Sequence, residues 1–229
     1  MWTGLDWMFP PACGGCDKFG SRWCGDCQNQ VVLINGLICE ICGLPGVSTG
    51  LCRTCKVEPP VYKSLRTWAV LVDPVQEALH KLKYRRNVGL GEALANQIAE
   101  YVRGLHWPVD MIIPVPLGRK RIIERGYNQV GLIAHPLALA LGLRFAPQGL
   151  RRQMETRSQV GLTRAERREN VRGVFEAISA QVSGKTVLLV DDVATTGSTL
   201  SSGAEALLTS GARDVYALTV ARALPRYVR

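Results

Sequence analysis

Apolar and polar positions in this chain form blocks that alternate between strand-like and helix-like spacing. Apolar runs predict buried strands over residues 64–72, 110–115, 174–178, 185–190 and 213–220. Between them, helical periodicity predicts helices from Pro74, over 90–102, from Gln129 to Leu141 and from Leu200. Strands that alternate with helices indicate an α/β fold, with a mostly parallel sheet, right-handed crossovers and flanking helices.

The segment VLLVDDVATTGSTL, residues 187–200, carries the clearest functional pattern. An apolar strand ends at the adjacent carboxylates Asp191 and Asp192, and a turn of small and hydroxyl residues leads into a helix. Backbone N–H groups of such a turn and helix N-terminus can bind a phosphate, and Gly197 permits close backbone approach. The carboxylates can accept hydrogen bonds from two ribose hydroxyls, directly or around Mg²⁺. This layout predicts a site for a phosphorylated sugar.

A plainer interpretation of the same segment stays open. A buried strand can end in an ordinary loop, with Asp191 and Asp192 solvated or capping the helix. Under the phosphate interpretation, the binding turn consists of Ala194, Thr195, Thr196, Gly197, Ser198 and Thr199.

A second loop, residues 116–129, follows the strand at 110–115 and is expected at the same edge of the sheet. Pro116 and Leu117, with the glycine after them, can supply backbone atoms to a pyrophosphate, and Arg119 or Arg121 can supply positive charge. The alternative is a set of solvated cations at the start of a helix.

All eight cysteines lie before residue 56 and form four C-x-x-C pairs. Two such knuckles make a tetrahedral Cys₄ zinc site, and eight ligands suit two zinc ions. Pairing in chain order gives one site from Cys13, Cys16, Cys24 and Cys27 and a second from Cys39, Cys42, Cys52 and Cys55. An interleaved pairing is the alternative. Four thiolates leave no open position, so we expect structural Zn²⁺ and not catalytic zinc.

The sequence Glu58-Pro59-Pro60 marks the boundary between this cysteine module and the remaining chain. We therefore expect a double zinc ribbon over residues 1–60 and an α/β domain over residues 61–229. No apolar run of membrane-spanning length is present, and the N-terminal segment lacks the basic residues of a secretory signal, so we expect neither a membrane span nor a secretory signal.

The net charge of +9 is concentrated in one part of the 229-residue chain. Residues 117–172 contain twelve Lys and Arg against four Asp and Glu, whereas residues 1–60 are slightly acidic. Pyrophosphate needs few cations and nucleic acid needs many, and a solvated basic face is the third explanation. Within this stretch, residues 156–172 could close over a ligand, track DNA phosphates, or form an amphipathic helix.

Several segments together resemble the ComF family of bacterial competence-associated proteins, which has a domain similar to type I phosphoribosyltransferases. They are the paired knuckles, HKLKY at 80–84, PVPL at 114–117, RGYNQ at 125–129, TRSQ at 156–159, RRENVRGVF at 167–175, and the acid-pair segment. The resemblance implies that Asp191 and Asp192 hold the ribose of phosphoribosyl pyrophosphate with Mg²⁺. It also implies that residues 195–199 hold its 5′-phosphate.

The resemblance further implies a cytoplasmic protein with a role in natural transformation, in which the protein handles incoming single-stranded DNA. Expected partners are competence helicases or DNA-channel proteins. The residues expected at nucleic acid are Lys81, Lys83, Arg125, Arg167 and Arg168.

The alternative function is active phosphoribosyl transfer to an unknown acceptor, with Asp191 and Asp192 as catalytic residues. Glutaminase activity is not expected, because residue 2 is Trp and every cysteine belongs to a C-x-x-C pair.

Overall fold

The computed structural model describes residues 10–48, 50–153 and 173–224. A five-stranded parallel sheet with strand order β1-β7-β6-β2-β3 forms its centre, and β4 and β5 pair antiparallel beside it. The strands are β1 Ser64–Val70, β2 Met111–Pro114, β3 Arg144–Phe145, β4 Leu150–Arg152, β5 Phe175–Ala177, β6 Thr186–Ala194 and β7 Asp214–Arg222. The predicted α/β class is confirmed.

Helices cover both faces of the sheet. They are α1 Gly25–Asn29, α2 Arg53–Val57, α3 Val75–Tyr84, α4 Gly89–Arg103, α5 Arg119–Arg125, α6 Gln129–Leu141, α7 Ser179–Val182 and α8 Ser198–Thr209. Side chains of α3, α4 and α6 share one buried cluster with Leu188 and Val190, while α8 shares another with Val187 and Leu189. Because successive strand residues point to opposite faces, one apolar run in β6 supplies both clusters.

Two sequence predictions need correction around the site. The motif strand does not end at residue 190; β6 continues to Ala194 and includes both aspartates, because Asp191 and Val193 stay paired with Thr219 and Ala221 of β7. The segment predicted as a loop over 116–129 contains the helix α5, which begins directly after Gly118.

The basic stretch 144–172 does not simply precede one short strand at 174–178, as the sequence pattern predicts. Its start forms β3 and β4, and β4 pairs antiparallel with β5. These strands have only two or three residues, too few for a periodic pattern to show. Residues 154–172 lie outside the described residues.

The cysteine-rich segment packs directly against the sheet. The Val70 N–H donates to the Val32 carbonyl at 2.8 Å, and Leu33 forms an isolated antiparallel bridge with Ala69. The ammonium of Lys81 in α3 also lies 2.7 Å from Oδ2 of Asp17. In the described residues, no helix is both long enough and apolar enough to cross a membrane.

Candidate functional site: two cysteine clusters and a pocket at the end of the sheet

Two clusters of four cysteines lie in the N-terminal segment. One consists of Cys13, Cys16, Cys24 and Cys27, and the other of Cys39, Cys42, Cys52 and Cys55; within each, the sulfurs lie within 4.8 Å of one another. The knuckles pair in chain order, and the interleaved arrangement does not occur. Four convergent sulfurs fit tetrahedral Zn²⁺.

In each cluster, backbone N–H groups lower the pKa of one cysteine. Burial by itself raises the pKa of Cys13, but backbone N–H groups, led by that of Cys24, lower it to about 6. The same balance lowers the pKa of Cys39 to about 6, with Cys52 supplying the leading N–H group. Since zinc binds thiolates, each cluster holds one sulfur that ionises readily before the metal arrives.

A pocket lies at the carboxyl ends of β2 and β6, where ligands bind in open parallel sheets. It is lined by Lys83, Val115, Pro116, Leu117, Gly118, Arg121, Arg125, Gln129, Arg152, Asp191, Asp192, Val193 and Thr199. Four of these side chains are cationic and two are carboxylates, so the pocket favours an anionic ligand.

Asp192 is bound by protein groups on two sides. Its Oδ2 accepts a hydrogen bond from the side-chain amide of Gln129 at 2.7 Å and lies 2.9 Å from Nζ of Lys83. Burial raises the pKa of Asp192, but the charge of Lys83 and the Gln129 hydrogen bond outweigh burial and lower it. Asp192 is therefore a fixed anion.

Asp191 is in a different electrostatic state. Burial, followed by the negative charge of Asp192, raises the pKa of Asp191 to about 7. Its Oδ1 accepts a hydrogen bond from the Asp192 N–H at 2.8 Å. Carboxylate oxygens are the ligands that Mg²⁺ prefers, so Asp191 fits a cation bound with the ligand, and such a cation would favour the ionised form.

The predicted phosphate turn is a tight, internally bonded loop. The hydroxyls of Thr196 and Ser198 lie 2.6 Å apart, and the Ser198 N–H donates to Oγ1 of Thr196 at 3.3 Å. Gly197 has φ +79°, a left-handed conformation that favours glycine, and α8 starts directly after it. Thr199 lines the pocket, whereas Ala194 is buried at the end of β6.

Three of the four residues that the sequence predicts at pyrophosphate, in the segment after β2, line the pocket: Pro116, Leu117 and Arg121. Arg119 is exposed at the start of α5 and is not among the lining residues.

The residues predicted at nucleic acid separate into three groups. Lys83 and Arg125 line the pocket. Lys81 is 7% exposed and pairs with Asp17, so it is not presented on an open surface. Arg167 and Arg168 lie outside the described residues.

Four pocket residues were given no ligand-binding role in the sequence predictions: Val115, Gln129, Arg152 and Val193. Gln129 begins α6 at the carboxyl end of β2. This position in the sequence could have identified it as a candidate ligand-binding residue. Arg152 reaches the pocket through the short β4, whose pattern gave no such signal.

Comparison with known proteins supports both parts of this architecture. Residues 4–56 match the double zinc ribbon domain family, and residues 138–228 match the phosphoribosyl transferase domain family. One adenine phosphoribosyltransferase crystal structure has a TM-score of 0.39 and 21% identity, covering 60% of this chain and 74% of that chain.

Sequence similarity to known relatives covers most of the chain. "DNA utilization protein YhgH" of Escherichia coli O157:H7 is 34% identical over 194 residues, 82% of this chain and 85% of that protein. "Competence protein ComFC" of Bacillus subtilis (strain 168) is 27% identical over 213 residues, 90% of this chain and 86% of that protein.

The domain matches and the paired cysteine clusters define a protein with a phosphoribosyl transferase domain preceded by a double zinc ribbon with two structural Cys₄ sites. The chain belongs to the ComF family of competence-associated proteins.

Proposed function

We propose that the pocket binds phosphoribosyl pyrophosphate together with Mg²⁺. The observation that carries this proposal is the meeting of the acid pair, the phosphate turn and the loop after β2 around one cationic pocket. Asp191 and Asp192 would face the ribose, and residues 194–199 would surround its 5′-phosphate. Bound Mg²⁺ would neutralise charge on the ribose and pyrophosphate oxygens.

In this proposal, side chains of the protein bind the pyrophosphate group of the ligand. Lys83, Arg121 and Arg125 line the pocket together with Pro116 and Leu117, which follow β2. Arg125 is held by a 2.7 Å hydrogen bond to Gln129, the residue that also binds Asp192. Binding the pyrophosphate and fixing the acid pair therefore use one connected set of side chains.

We further propose that the protein acts on single-stranded DNA during DNA uptake. The names of its relatives, a DNA utilization protein and a competence protein, support this proposal. Exposed cations continue from the pocket onto the surface: Arg85 and Arg86 follow α3, and Arg119 begins α5. Tyr84 is 62% exposed, and the Arg125 guanidinium lies 5.0 Å from its ring centroid. A basic surface with an accessible aromatic ring is suited to a single strand.

Active transfer to an acceptor is the second candidate. The intact acid pair favours it, because Asp191 and Asp192 can stabilise positive charge that develops on the ribose as pyrophosphate departs. Lys83 and Arg121 can stabilise the departing anion.

Organisation and location complete the proposal. We assign residues 1–60 to the zinc ribbon module and residues 61–229 to the phosphoribosyltransferase-like domain. The cysteines of the described segment are free thiols arranged as metal ligands, which favours a reducing compartment such as the cytoplasm.

Thermal unfolding tests the ligand proposal, because a ligand that binds only the folded state raises the melting temperature. Phosphoribosyl pyrophosphate with Mg²⁺ should raise the melting temperature of the wild type. It should raise that of Asp191→Asn much less, and the absence of any shift in the wild type would contradict the proposal.

DNA binding is tested by the salt dependence of affinity for a labelled oligothymidine. Arg85→Gln/Arg86→Gln should weaken binding and flatten the slope of log affinity against log salt, by roughly 0.7 for each DNA phosphate that is no longer neutralised. Lys185→Gln is the matched control, because Lys185 is exposed at the amino end of β6, opposite the pocket. Equal effects of the two substitutions would reject this surface.

A further inference from the structure

The second cysteine cluster is bonded directly to the first strand of the sheet. Within the knuckle 39–42, the Glu40 carbonyl accepts from the Ser64 hydroxyl at 3.0 Å. The next carbonyl, that of Ile41, accepts from the Leu65 N–H at 2.6 Å. The backbone that carries two of the cluster's sulfurs is therefore fixed to the sheet.

Arg222 continues this connection from the knuckle to the phosphate turn. Its guanidinium donates to the Cys42 carbonyl, and the residue is 3% exposed. In the β6–β7 register Arg222 pairs with Ala194, and the following N–H, of Ala223, donates to the Ala194 carbonyl at 3.0 Å. One residue therefore contacts both the knuckle and the start of the turn.

Charge explains why a buried arginine is found at this position. Among the described residues, Arg222 has no carboxylate at ion-pair distance. A zinc ion with four thiolates carries a formal charge of about −2, which would compensate the buried guanidinium.

Tyr62 contacts the turn and lies two residues before Ser64, whose hydroxyl is bonded to the knuckle. The side chain of Tyr62 is 3% exposed, and its hydroxyl lies 3.0 Å from the position that a Cβ on Gly197 would occupy. Gly197 is the left-handed residue on which the shape of the turn depends. Tyr62 thus packs against the back of the turn.

The first cysteine cluster has no such path in the described residues. Its contacts run to α3 and α4: Asp17 pairs with Lys81, and a Cβ on Gly14 would meet the side chain of Leu90. The segment of the first cluster therefore contacts helices, whereas the segment of the second cluster contacts the sheet and, through Arg222, the start of the phosphate turn.

We propose that the second zinc site, through Arg222 and Tyr62, positions the phosphate turn, so that zinc loading of this site and binding of a ribose 5-phosphate group are coupled. The inference rests on the proposed function of the turn. Arg222 and Tyr62 are positioning residues, because they act on the ligand through the backbone of residues 194–199.

Calorimetric titration with ribose 5-phosphate and, separately, with pyrophosphate tests the coupling. Arg222→Met should weaken ribose 5-phosphate binding by about tenfold, the effect of removing about one hydrogen bond made by a charged group. Tyr62→Phe should also weaken it, because it removes the hydroxyl that lies against Gly197. Pyrophosphate affinity should not change, because the residues proposed to bind it, Lys83, Arg121 and Arg125, belong to α3 and α5 and not to the phosphate turn. A general loss of folding would lower both affinities, so the difference identifies a positioning role.

Asp17→Asn is the matched control. It breaks the ion pair between Lys81 and Asp17, which lies next to the first cluster. The affinities for ribose 5-phosphate and for pyrophosphate should both remain unchanged. Equal ribose 5-phosphate affinities of wild type, Arg222→Met and Tyr62→Phe would overturn the inference. A wild type that binds neither ribose 5-phosphate nor phosphoribosyl pyrophosphate would instead overturn the proposed function.

Zinc affinity gives an independent readout. Coupling is reciprocal for binding free energies, so saturating ribose 5-phosphate should raise the affinity of the protein for one of the two zinc ions and not for the other, as measured by equilibrium competition with a chelator. Arg222→Met should abolish this increase. Identical competition curves with and without ribose 5-phosphate, in a wild type that binds it, would contradict the coupling.

Discussion

Nζ of Lys83 lies 2.9 Å from Oδ2 of Asp192, and this contact joins the end of α3 to the acid pair in β6. Both side chains are shielded from solvent, with 20% and 11% of their surfaces exposed. The ion pair keeps Asp192 ionised next to Asp191, whose proton is held more tightly. The two neighbouring carboxyl groups are therefore prepared for different roles.

Lys83→Met should reduce the free energy of unfolding by about 2 kcal/mol at neutral pH, because it leaves a shielded carboxylate without its cation. Denaturant titration measures the loss. Lys63→Met is the control, because the Lys63–Asp214 pair at 3.2 Å is more exposed and should contribute less than about 0.5 kcal/mol. Equal losses for the two variants would contradict the role assigned to Lys83.

Binding of the magnesium-dependent ligand should depend on pH through Asp191. The pKa of this carboxyl is raised to about 7, and a cation would displace its proton. Affinity should therefore fall as pH falls below that value, by about tenfold for each unit. Calorimetry across this range should show the slope in the wild type and a much flatter one in Asp191→Asn, and identical slopes would contradict the assignment.

Two zinc ions per chain are expected by elemental analysis. Cys13→Ser and Cys39→Ser should each lose one ion, because each removes a ligand from a different cluster. A single variant that loses both ions would show that the clusters are not independent.

Gly197→Ala should affect both stability and ligand binding. Gly197 and Gly184 both have positive φ, +79° and +67°, so an alanine at either position should cost about 1 kcal/mol. A Cβ at residue 184 meets open space, whereas one at residue 197 would lie 3.0 Å from the Tyr62 hydroxyl. Only Gly197→Ala should weaken ribose 5-phosphate binding, and equal binding by both variants would contradict the role of the turn.

Features that depend on local sequence were predictable here. The alternation of apolar runs with helical periodicity indicated the parallel sheet, and the C-x-x-C spacing indicated two Cys₄ sites. Each apolar run and each C-x-x-C pair lies within one short segment, where periodicity and ligand spacing act directly. The choice between pairing in chain order and interleaved pairing needed the structure.

Features that depend on contacts between distant segments were not predictable. Gln129 and Asp192 are joined by a 2.7 Å hydrogen bond across 63 positions, and Arg222 reaches Cys42 across 180. Lys81 and Lys83 are near neighbours in α3. Only Lys83 lines the pocket, whereas Lys81 pairs with Asp17 of the zinc ribbon. Tertiary packing, and not the sequence pattern, determines which of the two lysines reaches the pocket.

The measurement that tests the central claim most directly is calorimetric titration of the zinc-loaded protein with phosphoribosyl pyrophosphate and Mg²⁺. The wild type should bind one ligand per chain, and Asp191→Asn/Asp192→Asn, folded and zinc-loaded, should lose this binding. A folded, zinc-loaded wild type that shows no heat of binding, or a double variant that binds as tightly as the wild type, would contradict the assignment of this pocket as a ribose-phosphate site.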